Sequence, residues 1–250
     1  MSRNNLPTRP VKATTQNVLA LMAHPGDAAV LCGGTLARFA ATGAKVTIAC
    51  VSDGAAGNKL MPVPREKLAP QRRRHEEQAC SVIGADLGWV GLADGLLFDQ
   101  TQMIGLLVDL VRQIRPDIVI THHSRDYHMD NRTVSNAAYQ ACRLCLLENF
   151  PSKLPPMTSV PMLYYTDSWI SRAFEPTEYV DISDSIDTKL KMVRSNKVGV
   201  NWLRKLDGLD IFGLVKTTAA FRGMQSACRY AEVFAADPSW PVVHTRRLLP

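Results

Sequence analysis

The sequence predicts one α/β domain, a Rossmann-like, mostly parallel sheet flanked by helices. Apolar runs of strand length alternate with helical patterns at short spacing. The first run, Val18–Met22, is apolar throughout, as in a strand buried on both faces. Three strand ends, His24–Asp27, Ser52–Asn58 and His122–Asn131, carry polar, chemically capable residues. In open parallel sheets, sites lie beyond the carboxyl ends of the strands.

The elements follow in order. A polar tail over residues 1–16, punctuated by Pro7 and Pro10, precedes a single domain over 17–250. Val18–Met22 stops at the turn His24-Pro25-Gly26-Asp27, and Gly33-Gly34 precedes a helical stretch to Thr42. Lys45–Val51 is rich in β-branched residues and reads as a strand ending in Ser52-Asp53-Gly54 and a small-residue loop. Pro62 and Pro64 mark a linker, Arg65–Ile83 is helical with Gly84 beyond its end, and Leu87–Val90 is a short strand. The loop Gly91–Gly95 leads to a helix over Met103–Ile114 and a strand over Asp117–Thr121. A helical run covers Val134–Leu147, and the prolines from Pro151 to Pro161 make a loop over the sheet. Tyr179–Ile182 reads as a late strand, with helices over Ser185–Leu206 and Ile211–Phe234.

Composition narrows the function. At 250 residues and 46% hydrophobic, the chain can bury one large core. The net charge of +6 is spread along the chain; Arg72–Arg74 is the only dense run, too short for a nucleic-acid arm. The six cysteines form no zinc-ribbon pattern. Cys142 and Cys145 have CxxC spacing but sit inside a helical run and read as small buried hydrophobes. With no disulfide framework, no apolar leader and no span of about 20 apolar residues, the expectation is a cytoplasmic protein. The glycines at 33, 34, 54 and 57 make no GxGxxG fingerprint, so no nucleotide cofactor is assigned. The expected partners are a small-molecule substrate or ligand and further copies of the chain, with no nucleic acid and no membrane.

Two constellations carry chemistry. His24 and Asp27, three residues apart on the turn after a buried strand, can converge on one divalent cation through nitrogen and oxygen. The same residues also serve as ordinary turn chemistry, with Asp27 capping a helix. The second is Thr121-His122-His123-Ser124-Arg125-Asp126-Tyr127-His128-Met129-Asp130-Asn131, which holds three of the chain's six histidines. It is either a polar loop bonded to itself or a metal and acid–base site facing the first constellation.

These pieces resemble the LmbE/PIG-L family of metal-dependent N-deacetylases. The resemblance runs from Leu19 to Arg246-Arg247-Leu248-Leu249 and includes Ala23–Asp27, Cys32–Leu36, Ser52–Gly54, Gly91–Gly95, Thr121–Asp130, Tyr179–Asp184, Phe221–Gly223 and Tyr230–Glu232. It implies removal of an acyl group from the nitrogen of an N-acyl sugar or similar small metabolite, with zinc or another divalent metal as cofactor. The family's first motif, Ala-His-Pro-Asp-Asp, stands here as Ala23-His24-Pro25-Gly26-Asp27. The resemblance therefore implies His24 and Asp27 as metal ligands and leaves Gly26 at the position of the general base. The later motif, His-x-Asp-His, stands as His128-Met129-Asp130-Asn131. It implies His128 as oxyanion stabiliser beside Asp130 and puts Asn131 at the third ligand position. Relatives often carry His-x-Ser-Gln where this chain reads Asn196-Lys197-Val198-Gly199. Arg72 and Asp94 match substrate-contact positions, with solvent exposure and a turn role as the plainer alternatives.

Glycine has no side chain to take a proton, and a neutral amide oxygen is a poorer zinc ligand than imidazole. Two functions follow: an amide hydrolase with an altered site, or a catalytically silent relative that keeps the pocket and binds a small molecule or partner.

Overall fold

A computed structural model describes residues 15–56, 62–98, 100–168, 174–206 and 208–239. The expected tail lies outside these apart from its last two positions, as do Gly57, Asn58 and Arg246–Leu249. β1 (Asn17–Met22), β2 (Lys45–Ser52), β3 (Asp86–Leu92), β4 (Ile118–Thr121), β5 (Met162–Thr166), β6 (Glu178–Asp181) and β7 (Ala231–Ala236) form a seven-stranded sheet in the order β3-β2-β1-β4-β5-β7-β6. The first five in that order run parallel, and β7 is antiparallel to both β5 and β6. The chain order reverses between β1 and β4, which places the topological switch point at their carboxyl ends.

Side chains alternate across β1, and the two faces feed two cores. Val18, Ala20 and Met22 pack with buried residues of α1 (Asp27–Ala41), α2 (Arg65–Ser81), α5 (Ile186–Ser195) and α7 (Ile211–Gln225). Leu19 and Leu21 pack with α3 (Gln100–Ile114) and α4 (Met129–Leu144). Tyr164, Phe39 and Phe234 are among the largest fully buried side chains. Truncating Phe39 or Phe234 to Ala removes about 3–5 kcal/mol.

The structure departs from the sequence reading most at four places, beside a start of α4 five residues earlier than expected, at Met129. The first helix begins at Asp27, six residues before Gly33, and bends at Cys32 (φ −140°, ψ 15°). Past the bend, the Gly34 and Thr35 amides donate to the two carboxylate oxygens of Glu232 from β7, at 2.9 and 2.7 Å. Glu232 pairs in turn with the buried Lys189 ammonium. A carboxylate thus caps a second helix start inside α1. A Cβ on Gly34 would lie 2.8 Å from Ile182, so the close approach needs glycine.

The helix expected over Ser185–Leu206 breaks at Asn196 (ψ 65°) into α5 and α6 (Lys197–Leu206). The helix expected over Ile211–Phe234 ends at Gln225. Gly223 accepts the amides of Ser226 and Cys228, Ala227 takes a positive φ of 57°, and the chain returns as β7. Met162–Thr166, to which the pattern assigns no element, is β5, a central strand.

Candidate functional site

The ends of β1 and β4 are laced together by a backbone-to-imidazole bond. The Ala23 amide donates to Nε2 of the fully buried His122 at 2.9 Å, and the Ser52 amide of β2 donates to the Ala23 carbonyl at 2.8 Å. The chain then turns through Pro25 and Gly26 into α1. Gly26 has φ +99°, a backbone that L side chains rarely adopt. Asp27 is the first residue of α1, but its carboxylate folds back, accepting the His24 amide at Oδ2 (2.9 Å) and contacting His24 Nδ1 at 3.1 Å. The capping expected of Asp27 is therefore spent on the turn itself.

His24 is the hub. Its Nδ1 faces Asp27, while its Nε2 lies 3.3 Å from Asp94 Oδ1 and 3.3 Å from Asp130 Oδ2. Burial pulls the imidazolium down. Asp27, then Asp130 and Asp94, more than offset this and raise His24 well above its ordinary value. Burial acts against Asp27 as well, and the neighbouring His24 reverses it, holding the carboxylate far below its usual range. Asp130 is lowered by its bond to His24, assisted by the Gly95 amide at 3.0 Å.

The second constellation folds onto the first. The His24 and His128 rings meet edge to face with centroids 4.7 Å apart. His128 caps α4, its Nδ1 accepting the Asp130 amide at 3.2 Å, which leaves Nε2 as the free nitrogen. Burial and the charge of His24 lower its pKa, so it is neutral near pH 7. Asp126 Oδ1 organises the loop, accepting the His128 amide at 2.8 Å and Asn131 Nδ2 at 3.1 Å. Asn131 Oδ1 is buried without a hydrogen-bond partner among the described residues. His123 points elsewhere, against Tyr165 and Phe174.

A buttress the sequence reading does not contain closes the floor. A Cβ on Gly26 would lie 2.0 Å from Asn196 Nδ2, so the Asn196 side chain fills the space a residue there would enter. Asn196 Nδ2 donates to the Pro25 carbonyl at 3.2 Å, and its Oδ1 accepts Arg72 Nη1 at 2.7 Å and the Gly199 amide at 3.1 Å. Arg72, 6% exposed, also donates through Nη2 to the Pro25 carbonyl at 2.8 Å. The Gly26 amide donates to buried Glu76 at 2.7 Å, and burial pushes that carboxyl up to about 7. Arg72 is thus held in the floor by the groups around it. The one signal in the sequence was the departure noted at Asn196-Lys197-Val198-Gly199.

These groups surround a cavity of about 430 Å³ at the switch point. His24, Gly26, Asp27, Arg72, Asp94, His128 and Asn131 line it, and Asp130 stands behind His24. One ligand atom each from His24, His128 and Asp130 lies within 4.8 Å of the others. Two nitrogens, a carboxylate oxygen and the unpartnered Asn131 Oδ1 nearby make a donor set that fits a divalent cation.

Residues 19–142 match the PIG-L family, described as GlcNAc-PI de-N-acetylase. Residues 19–142 belong to the PIG-L (LmbE) family. It is 27% identical over 231 residues to a diacetylchitobiose deacetylase of Thermococcus kodakarensis, covering 87% of this chain and 81% of that one. A 1D-myo-inositol 2-acetamido-2-deoxy-alpha-D-glucopyranoside deacetylase of Salinispora arenicola is 26% identical over 174 residues, but this chain spans only 56% of its length. Among solved structures, the N,N'-diacetylchitobiose deacetylase of Pyrococcus horikoshii superposes with a TM-score of 0.77 at 25% identity, covering 88% of this chain and 83% of that one. A 4-oxalmesaconate hydratase of Pseudomonas putida also matches, at 20% identity over 74% of this chain and 75% of its own. The matched relatives therefore carry more than one named reaction. Among the described residues, no helix is long and apolar enough to cross a membrane.

Proposed function

We propose that this chain is a metal-assisted amide hydrolase that removes an acyl group from the nitrogen of an N-acyl sugar or similar small metabolite. The observation that carries the reading is the convergence of His24, His128 and Asp130, two of which line the cavity at the switch point while Asp130 lies buried behind them. The deacetylase names of the relatives support the choice of an amide substrate. His24, His128 and Asp130 would hold the cation, zinc or another divalent metal, and Asn131 offers a further neutral oxygen. A cation bound there supplies Lewis acidity toward a carbonyl oxygen or a water. Asp27 fixes the His24 ring through Nδ1, and Asp94 lies in the cavity wall within reach of a substrate hydroxyl or amide N–H. While its Nδ1 accepts the Asp130 amide, the neutral His128 ring carries its proton on Nε2 and would donate it to an oxygen that gains negative charge; holding the cation would require the other tautomer and loss of that amide bond.

A second reading, a catalytically silent relative that binds a small molecule, is favoured by Gly26. It brings no carboxylate, and Asn196 occupies the adjoining space. Elemental analysis of protein purified without chelators, paired with amine release from a panel of N-acetyl sugars, separates the two. Near-stoichiometric metal with metal-dependent amine release supports the hydrolase. Protein that takes up no zinc when zinc is added, and releases no amine, overturns it.

A further inference from the structure

Part of the cavity lining has no role in the chemistry above. Besides His24, Asp94 and His128, the cavity is lined by the apolar or largely apolar side chains of Val30, Leu31, Val193, Val200, Trp202 and Leu203. Five of these six offer no hydrogen-bonding side-chain atom. All but Val193 are only partly buried, and Val30, Leu31, Val200 and Leu203 rest on the main core behind the cavity lining. The wall is built into α6. Asn196, Gly199, Val200 and Leu203 recur at i, i+3, i+4 and i+7, which is one helical stripe. Asn196, wedged against Pro25, aims that stripe at the cavity. Gly199 leaves room for the wedge, since a Cβ there would lie 2.5 Å from Asn196 Nδ2. Asn201, Arg204 and Lys205 are exposed.

We propose that the ligand is amphiphilic, a polar N-acyl head at the His24 end carrying an alkyl or aryl group that lies on the α6 wall. The reading of the His24 end as the amide-binding end is taken from the hydrolase proposed above. A second hydroxylated ring laid on this wall would leave its hydroxyls unpaired, each weakening binding by about tenfold. An alkyl chain gains about fourfold for each methylene buried. The continuity of the wall with the polar end lets one molecule of ordinary ligand size, roughly 300–1,000 Å³ of pocket, use both.

The chain can be attached on either side of the amide, and two series of probes distinguish the attachments. One lengthens the glycosidic alkyl group of an N-acetylglucosaminide from methyl to hexyl. The other lengthens the acyl group of an N-acylglucosamine from acetyl to hexanoyl. Calorimetric binding to the full chain is measured for both, with no need for turnover, and amine release from metal-loaded protein is followed in parallel. In one series Kd falls about fourfold per methylene, and Leu203→Gln flattens that dependence. Methyl-glycoside binding with flat length dependence in both series overturns the amphiphile and leaves the hydrolase standing. No binding by any member also overturns it. A steep dependence without amine release keeps the amphiphilic ligand and removes the hydrolase.

Discussion

Restoring a side chain at residue 26 should destabilise the protein before it restores any chemistry. A Cβ there meets Asn196 Nδ2 at 2.0 Å, and the backbone sits at φ +99°. An L residue in left-handed backbone costs about 1–2 kcal/mol. Moving Asn196 aside breaks its bond to the Pro25 carbonyl, its acceptance of the Gly199 amide and the charged bond from Arg72. The neutral bonds contribute about 1 kcal/mol each and the charged one about 1.5–3 kcal/mol. Partial re-pairing with water brings the expected loss for Gly26→Ala to about 3–5 kcal/mol. The assay is urea unfolding of the parent, Gly26→Ala, Asn196→Ala and the double variant, compared through midpoints at constant slope. With Asn196 already removed, Gly26→Ala should cost only the backbone strain, a coupling of about 2–3 kcal/mol. Equal losses in both backgrounds would show that Asn196 does not hold the space. A carboxylate meant to act as a base at residue 26 should therefore be introduced together with Asn196→Gly.

Two further predictions concern groups that support the site. Glu76 titrates near 7 when folded, against an ordinary value near 4.5, so the unfolded chain loses this proton first as pH rises. The contribution to stability is intact below about 4.5 and falls until about pH 7, by about 3 kcal/mol in all; Glu76→Gln, which still accepts the Gly26 amide, should flatten the dependence between pH 5 and 8, and parallel urea midpoints for the two proteins would count against it. Glu232→Ala strips the Gly34 and Thr35 amides of their acceptor and leaves Lys189 buried without its partner. A loss of about 3–5 kcal/mol is expected in denaturant unfolding, and one below about 1 kcal/mol would mean α1 does not need this cap.

The parallel half of the fold was legible because β1, β2 and β4 are short apolar runs ending in turn residues, a pattern that local sequence carries by itself. Of the antiparallel edge, β6 was legible in Tyr179–Ile182, and β7 was not. Ala231–Ala236 continues an apolar helical pattern, and only the fold-back of Cys228 onto Gly223 turns it into a strand. Met162–Thr166 has strand-prone Tyr164, Tyr165 and Thr166, but the run is only five residues long beside a proline-rich loop, and its central place between β4 and β7 is a tertiary fact. In the site, His24, Asp27, His128 and Asp130 were readable from residue type and position at strand ends. Glu76 was not, since a glutamate within Arg65–Ile83 looks like any solvated helix charge. Arg72 matches a substrate-contact position and lines the cavity, but its burial and its bonds to Pro25 and Asn196 had no signal in the sequence. The Asn196 buttress joins residues 124 and 171 positions apart, beyond any spacing argument.

The last prediction asks which carboxylate holds the metal. Imidazole binds a cation through one nitrogen, and a carboxylate on the other nitrogen orients the ring from outside the coordination sphere. His24 has carboxylates on both sides, with Asp27 at Nδ1 (3.1 Å) and Asp94 and Asp130 at Nε2 (3.3 Å each). The sequence comparison of motifs points to Asp27 as ligand. The convergence of His24 with His128 and Asp130 points to the Nε2 side, with Asp27 as the orienting partner. Cobalt titration followed by visible absorption separates the two, using Asp27→Asn and Asp130→Asn, which keep shape and remove charge. If Asp27 only orients the ring, Asp27→Asn weakens affinity about 10- to 100-fold. Asp130→Asn should then cost more and alter the absorption band by removing a donor. The reverse order of losses, with the band changed only by Asp27→Asn, would assign the metal to Nδ1 and leave Asp130 as a brace for Gly95 and His24.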